Sequence, residues 1–262
     1  MNLPTRSANH PDHRLQTPET FVRAPLPGMR NATAIVHASP AGGAGFVQYT
    51  AEFDRGGALA ACGDQRFVYV LDGRISVGAA ALAPGGFAYV PPGEATLVCG
   101  DAASRAVVIE KAYQPLTSVA PPALLTGRES DAAATHLGGD PWLEVRGLIP
   151  DDAAFDFRVN TMTYQPGASL PAVEIHVMEH GLLMLEGGGI YLLGSQWYPV
   201  QAGDFIWMSA YCPQWFGALG KQPAKYVIYK DWDRHPGDHR DSGFPPPLSE
   251  LRRASGIRDS KR

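Results

Sequence analysis

The feature that most constrains this chain is a rhythm of short apolar runs that are closed by glycine or proline. Examples are TAIVHA, RFVYVLDG, GGFAYVPPG, FRVNTMTYQPG and AKYVIYKDW. Such runs, bounded by turn residues at intervals of about ten, are typical of strands in sandwiches and barrels. The 29 glycines and 23 prolines supply the necessary turns. We therefore predict an all-β fold with few short helices.

The strand pattern occurs twice along the chain. Residues 66–77 match residues 180–193, and two further matches follow in the same order at nearly the same spacing. The key pairs are Gly73 with Gly187, Phe87 with Phe205, and Lys111 with Lys230. Ordered matches of this kind indicate a duplicated unit. The sequence predicts two tandem small β-barrels of the jelly-roll or double-stranded β-helix type.

Changes in composition divide the chain into five segments. We expect an N-terminal arm over 1–30, a first barrel over 31–117 and a linker over 118–150. A second barrel over 151–232 and a flexible, charged C-terminal tail over 233–262 complete the division. The tail mixes charges with proline and glycine, which disfavours a packed core.

Charge and hydropathy exclude several partners. The net charge of −4 gives no electrostatic basis for binding nucleic acid. The chain contains no run of 18 apolar residues and no apolar secretory segment at its start, so we expect no membrane partner. Three scattered cysteines do not form a disulfide framework. The expectation is a soluble cytoplasmic protein that binds a small-molecule substrate.

The run EIHVMEH at 174–180 carries the clearest chemical signal. Glu174, His176 and His180 share one parity, so on a strand they would face the same side. A carboxylate and two imidazoles on an inner barrel wall are costly to bury unless a cation compensates them. A single histidine in a strand is usually structural, so the prediction depends on the combination. Gln214, eleven residues after Gly203, would complete a divalent-metal site with its amide oxygen.

The first barrel lacks these donors. By the repeat alignment, Ala60, Cys62, Arg66 and Thr96 replace Glu174, His176, His180 and Gln214 in that order. We therefore predict no metal in this barrel and a role in structure or oligomerisation. Cys62 is interpreted as an inert thiol, which is commoner than a reactive one. Glu179 has the outward parity and is expected to lie in a salt bridge or interface.

These motifs resemble those of the cupin superfamily, in which H-x-H-x3-E-x6-G is followed by a G-D turn and a final histidine. Here the run is E-x-H-x3-H-x6-G, and Gln214 stands in the place of the final histidine. The permuted set in a two-barrel chain resembles the (S)-ureidoglycine aminohydrolase family of allantoin breakdown. The resemblance covers most of residues 30–232 and implies a bicupin.

The resemblance implies a hydrolase that converts (S)-ureidoglycine and water to (S)-ureidoglycolate and ammonia, with Mn²⁺ in the second barrel. It also implies a substrate-pocket role for Tyr191; a core tyrosine is the alternative. The substrate carboxylate needs a cation, and Lys230 is the candidate. Tyr226 and Lys230 share a strand face, so both point inward unless the opposite face is the inner one. No residue is assigned as the general base.

Other interpretations remain open at this point. The same donors suit an Fe(II) dioxygenase or an isomerase that acts on a small oxo-acid. A non-catalytic, small-molecule-binding bicupin is a third possibility. The donor set favours Mn²⁺, but other divalent metals bind such sites more tightly and can occupy the purified protein. Apolar strands and surplus tryptophans suggest a homo-oligomer.

Overall fold

The computed structural model describes residues 4–94, 97–99, 103–232 and 234. Thr96 lies outside these residues, and so does the tail over 233–262 except for Arg234. Within them the chain forms twenty-one strands and four short 3-10 helices, which confirms the predicted all-β class. None of these helices has the length and apolar character needed to cross a membrane.

The strands are β1 Ala8–Asn9, β2 His13–Gln16, β3 Arg23–Ala24, β4 Met29–Ala38, β5 Val47–Leu59, β6 Gln65–Asp72, β7 Ile75–Val77, β8 Ala80–Leu82, β9 Gly86–Val90, β10 Leu97–Cys99, β11 Ser104–Lys111, β12 Leu125–Arg128, β13 Ala134–His136, β14 Leu143–Gly147, β15 Arg158–Tyr164, β16 His180–Glu186, β17 Gly188–Leu193, β18 Gln196–Gln201, β19 Phe205–Met208, β20 Gln214–Ala218 and β21 Ala224–Lys230. The 3-10 helices are Pro18–Thr20, Pro40–Gly42, Glu129–Asp131 and Leu137–Gly139.

The strands form three antiparallel sheets. A ten-stranded sheet builds the first barrel in the order β12-β9-β6-β11-β5-β10-β7-β8, with β4 on β5 and β3 on β4. The second barrel uses an eight-stranded sheet, β1-β2-β19-β16-β21-β15-β14-β13, and a three-stranded sheet, β18-β17-β20. Two barrels in tandem agree with the internal repeat.

The arm and the linker contribute strands to the barrels. In the arm, β2 pairs with β19 of the second barrel, and Leu15 lies opposite Ile206. In the linker, β12 pairs with β9 of the first barrel, whereas β14 pairs with β15 of the second. The arm therefore covers an edge that β19 would otherwise expose, which removes a site for unwanted strand pairing.

Among the described residues, apolar side chains pack into three cores. One fills the first barrel and one fills the second, where Leu15 of the arm takes part. The third lies between the barrels and joins residues such as Phe67 and Phe157. Strand β21 serves two of these cores, because Tyr226 and Ile228 face the second barrel while Val227 and Tyr229 face the interbarrel core. The alternation follows directly from the period of two along a strand.

The strand register corrects one match of the repeat. Lys230 lies opposite His180, whereas the residue opposite Arg66 is Glu110. Lys230 therefore corresponds to Glu110, and the predicted pairing with Lys111 is wrong by one residue. A shift of one residue reverses the face of a side chain. Both ladders contain irregularities, and sequence spacing alone does not reveal them.

We predict that Leu15→Ala destabilises the second barrel. Leu15 is 1% exposed inside its core, so the substitution should lower the free energy of unfolding by about 2–5 kcal/mol. Urea denaturation of the full chain measures the change. The matched control is Val22→Ala in the same arm, where the side chain is 75% exposed, with an expected change below about 0.5 kcal/mol. Equal effects of the two substitutions would contradict the docking of the arm.

Candidate metal centre

The predicted donors converge where two sheets of the second barrel meet. His180 is the first residue of β16 in the eight-stranded sheet. Glu174 forms an isolated antiparallel bridge with Gln214, the first residue of β20 in the three-stranded sheet. The segment between Glu174 and His180 is not a strand, so the assumption of one continuous strand face is wrong. The donors meet because this segment crosses from one sheet to the other.

Three predicted donor residues lie close to the imidazole of His176. The Nε2 atom of His176 lies 3.4 Å from Nε2 of His180, 2.8 Å from Nε2 of Gln214 and 3.7 Å from Oε2 of Glu174. His180 and Gln214 are buried, while Glu174 and His176 are partly exposed. Nε2 of His176 therefore lies within 3.7 Å of an atom of each of the other three side chains.

This donor set fits a divalent ion. The Nε2 atoms of His176 and His180 face each other, and their lone pairs repel unless a proton or a cation lies between them. The neighbouring Glu174 carboxylate favours a cation. Burial lowers the pKa of His180 well below its usual value, and the charges of Lys230 and His176 act in the same direction. Neutral imidazole is the form that ligates metals. The carboxylate and amide oxygens add the harder ligands that Mn²⁺ accepts.

A chain of tyrosine hydroxyls stands behind Gln214. The hydroxyl of Tyr191 donates to Oε1 of Gln214 at 3.3 Å, and Tyr164 and Tyr226 share a hydrogen bond of 2.9 Å. Because a hydroxyl both donates and accepts, Tyr191 can support either orientation of the Gln214 amide. An amide oxygen turned toward His176 would be the orientation that ligates a metal. Desolvation raises the pKa of Tyr191 and Tyr226, so both hydroxyls stay protonated.

Tyr164 was not singled out as a functional residue from the sequence. Its side chain is fully buried against Tyr226 and Phe216. The period of two in MTYQPG places Met162 and Tyr164 on one face, which is the signal that could have found it.

Lys230 lies on the inner face of β21 at the metal-site end. It pairs in the ladder with His180, and Tyr226 on the same face is buried in the barrel core. The face of β21 that carries Lys230 is therefore the inner one. Desolvation lowers the pKa of Lys230, and the Glu174 carboxylate opposes this effect.

Glu179 faces the other way and joins the two barrels. Its carboxylate accepts hydrogen bonds of 2.9 and 3.1 Å from the backbone N–H of Gly45 and one of 3.2 Å from Nε1 of Trp207. Burial raises the pKa of Glu179, and these hydrogen bonds oppose the shift. The residue next to His180 therefore lies in the contact between the two barrels.

In the first barrel an ion pair occupies the equivalent place. Arg66 donates from Nε to Oε1 of Glu110 at 2.7 Å and from Nη1 to the carbonyl of Ala60 at 2.9 Å. Tyr49 donates to the same carboxylate oxygen at 3.0 Å. The guanidinium and the Glu110 carboxylate neutralise each other at this place. Desolvation raises the pKa of Cys62 beside this pair, so its thiol stays protonated.

The fold and this donor cluster define a cupin. The Cupin domain family model matches residues 160–229. The crystal structure of protein Ylba from E. coli superimposes with a TM-score of 0.78 at 30% identity, over 88% of this chain and 96% of that one.

Sequence relatives identify the family within this class. The (S)-ureidoglycine aminohydrolase of Arabidopsis thaliana is 39% identical over 240 residues, which is 88% of this chain and 80% of the relative. The enzyme of that name from Escherichia coli is 33% identical over 86% of this chain and 90% of its own length. This chain belongs to the (S)-ureidoglycine aminohydrolase family.

We predict that His176→Ala removes metal binding at this centre. His176 is the donor closest to the other three, and losing even a residue that orients a ligand costs 10–100-fold in affinity. Affinity for Mn²⁺ should therefore fall at least about a hundredfold, as measured by calorimetry on chelator-treated protein. His136→Ala, an exposed histidine on β13, is the control and should leave affinity unchanged. Unaltered Mn²⁺ binding by His176→Ala would contradict this assignment.

Proposed function

We propose that this protein hydrolyses (S)-ureidoglycine to (S)-ureidoglycolate and ammonia. Water supplies the new hydroxyl, the bond between the substrate carbon and its amino nitrogen breaks, and the nitrogen leaves as ammonia. The observation that carries the proposal is the convergence of Glu174, His176, His180 and Gln214 beside Lys230, in a chain of this family. The resemblance stated above assigns the reaction to allantoin breakdown.

The two histidines, Glu174 and Gln214 would hold Mn²⁺. When bound, the ion would act as a Lewis acid that orients substrate heteroatoms and stabilises developing negative charge. The chain's own contribution is to fix the donors. His180 pairs with β19 on one side and with β21 on the other. Glu174 and Gln214 are joined by two backbone hydrogen bonds of 2.8 and 2.9 Å.

Lys230 is proposed to bind the substrate carboxylate. An ammonium in a partly desolvated site favours an anionic partner, and a charged hydrogen bond contributes about 1.5–3 kcal/mol. The inner face of β21 also presents the hydroxyl of Tyr226, and Tyr191 reaches the site through Gln214. We propose that these hydroxyls position the ureido and amino groups, while Tyr164 holds Tyr226 in place. The general base stays unassigned.

We also propose a cytoplasmic location. Cys62 and Cys212 are both free thiols, which suits a reducing compartment.

The activity prediction concerns ammonia release from freshly generated ureidoglycine. Protein reloaded with Mn²⁺ should release ammonia well above the enzyme-free rate, and His176→Ala should not. Lys230→Met should lower kcat/KM about 10- to 100-fold, mainly through KM, because it removes a charged contact to the substrate. Lys221→Met, at an exposed position, should behave as wild type.

A wild-type rate equal to the blank after Mn²⁺ reloading would contradict the proposed reaction. Oxygen uptake with Fe(II) and small oxo-acids would then test the dioxygenase alternative. If activity is present but Lys230→Met and Lys221→Met are equally active, the anchoring role of Lys230 is wrong and the reaction still holds.

We further propose that the chain forms a homo-oligomer through the outer face of β17, β18 and β20. The three strands contain no charged residue. Trp215, Leu192 and Trp197 lie side by side across this face, and Trp197 is 55% exposed. An apolar, aromatic and uncharged surface is typical of interface cores. Each chain has a net charge of −4, so two copies repel each other through their charged faces. This uncharged face avoids that repulsion and therefore suits contact with a second copy.

Trp197→Arg should therefore reduce the molecular mass in solution, measured by sedimentation, without loss of the folded state. The control is Trp142→Arg, a similarly exposed tryptophan outside these three strands. A wild-type monomer, or an unchanged mass for Trp197→Arg, would contradict this interface.

A further inference from the structure

A second group of metal-ligating side chains lies where the arm joins the second barrel. Asp12 and His13 come from the arm, and Cys212 comes from the loop between β19 and β20. One donor atom of each lies within 4.8 Å of the other two. A tetrahedral ion with bonds of about 2.0–2.3 Å holds its donors roughly 3.3–3.8 Å apart, a separation that small side-chain rotations here would reach. His13 and Cys212 are buried, and Asp12 is partly exposed.

Backbone contacts fix these donors from both sides. In the ladder, His13 lies opposite Met208. The next residue, Ser209, donates its N–H to the carbonyl of Asp12 at 2.9 Å and accepts from the N–H of Cys212 at 3.2 Å. The arm and the loop therefore meet through main-chain bonds, so the donors come together without ordering long side chains.

The surroundings leave room for coordination. A Cβ on Gly194 would lie 2.9 Å from Oδ2 of Asp12 and 3.5 Å from the His13 ring, so the glycine keeps this space open. Asp12 uses Oδ1 to bond Nδ1 of His13 at 2.8 Å, and Tyr198 lies 2.9 Å from Nε2 of the same ring. Coordination would replace the hydrogen bond between Asp12 and Nδ1 with a metal–nitrogen bond, while Tyr198 keeps its hydrogen bond with Nε2. A water can provide a fourth ligand.

The donor chemistry selects a different ion from that of the first centre. Thiolate and imidazole ligands favour Zn²⁺, whereas the Glu174 centre has oxygen and nitrogen donors. A carboxylate and a thiolate neutralise the two positive charges of the ion, which matters in a buried site. Cys62 offers a contrast, because its neighbours are Arg66 and Glu110.

We propose that Asp12, His13 and Cys212 form a second, structural metal site that takes Zn²⁺ and fastens the arm to the second barrel. The site is separate from the Glu174 centre and does not depend on the proposed reaction. On binding, the thiol proton passes to solvent and no electrons are transferred.

Cobalt substitution of the full chain tests this site, because Co²⁺ replaces Zn²⁺ and reports thiolate ligation by a charge-transfer band in the near ultraviolet. Chelator-treated wild type should take up two Co²⁺ per chain and show the band. Cys212→Ser should lose the band and one ion, whereas the matched control Cys62→Ser should keep both. His176→Ala should lose one ion and keep the band, since it affects the other centre.

Absence of the band in wild type, or its survival in Cys212→Ser, would overturn the proposal. If Cys212→Ser fails to fold, Asp12→Asn provides the same test, since that side chain is 46% exposed and the substitution keeps its shape. Its Co²⁺ affinity at this site should fall at least tenfold, and unchanged affinity would overturn the proposal. A Zn²⁺-dependent rise in Tm for His176→Ala that is absent in the double variant His176→Ala, Cys212→Ser is the expected independent readout.

Discussion

The rest of this structure depends on the register of strand β21, because its side chains alternate between two different surroundings. One face carries Tyr226 and Lys230 toward the second barrel, and the other carries Val227 and Tyr229 into the core between the barrels. A slip of one residue would send Lys230 into the interbarrel core and Tyr229 into the site. The packing of the two barrels and the charge at the candidate metal centre are therefore set by the same register.

The fold was predictable because its signal is local and repeated. Alternation and turn residues recur through both barrels, so errors in single strands do not accumulate, but the strands of the arm and the linker carry no such signal. The structure brings the predicted donor residues near one another, but by a geometry that their spacing did not predict. Glu174 and His176 meet His180 through a crossing between sheets, and no sequence period marks such a crossing. The mismatch of Lys111 with Lys230 has the same cause, since an irregularity in a ladder leaves no trace in spacing.

The two barrels solve one electrostatic problem in different ways. At equivalent positions the first barrel has Arg66 beside Glu110, and the second has His180 beside Lys230. The guanidinium of Arg66 is a permanent internal cation, and it forms a partly buried salt bridge with Glu110. The second barrel has two imidazoles and a partly exposed carboxylate in addition to Lys230, a set of donors that suits an added cation.

The loop over 209–213 connects features that lie far apart in sequence. Ser209 binds the carbonyl of Asp12 in the arm, and Tyr211 donates its N–H to the carbonyl of His176 at 2.8 Å. Gln214 then continues into the bridge with Glu174. Six residues of chain thus hold the arm at one end and three of the four donors at the other. Because such short hydrogen-bonded segments shift as a unit, tight docking of the arm should restrict the positions of His176 and Gln214 and so favour a preorganised metal centre.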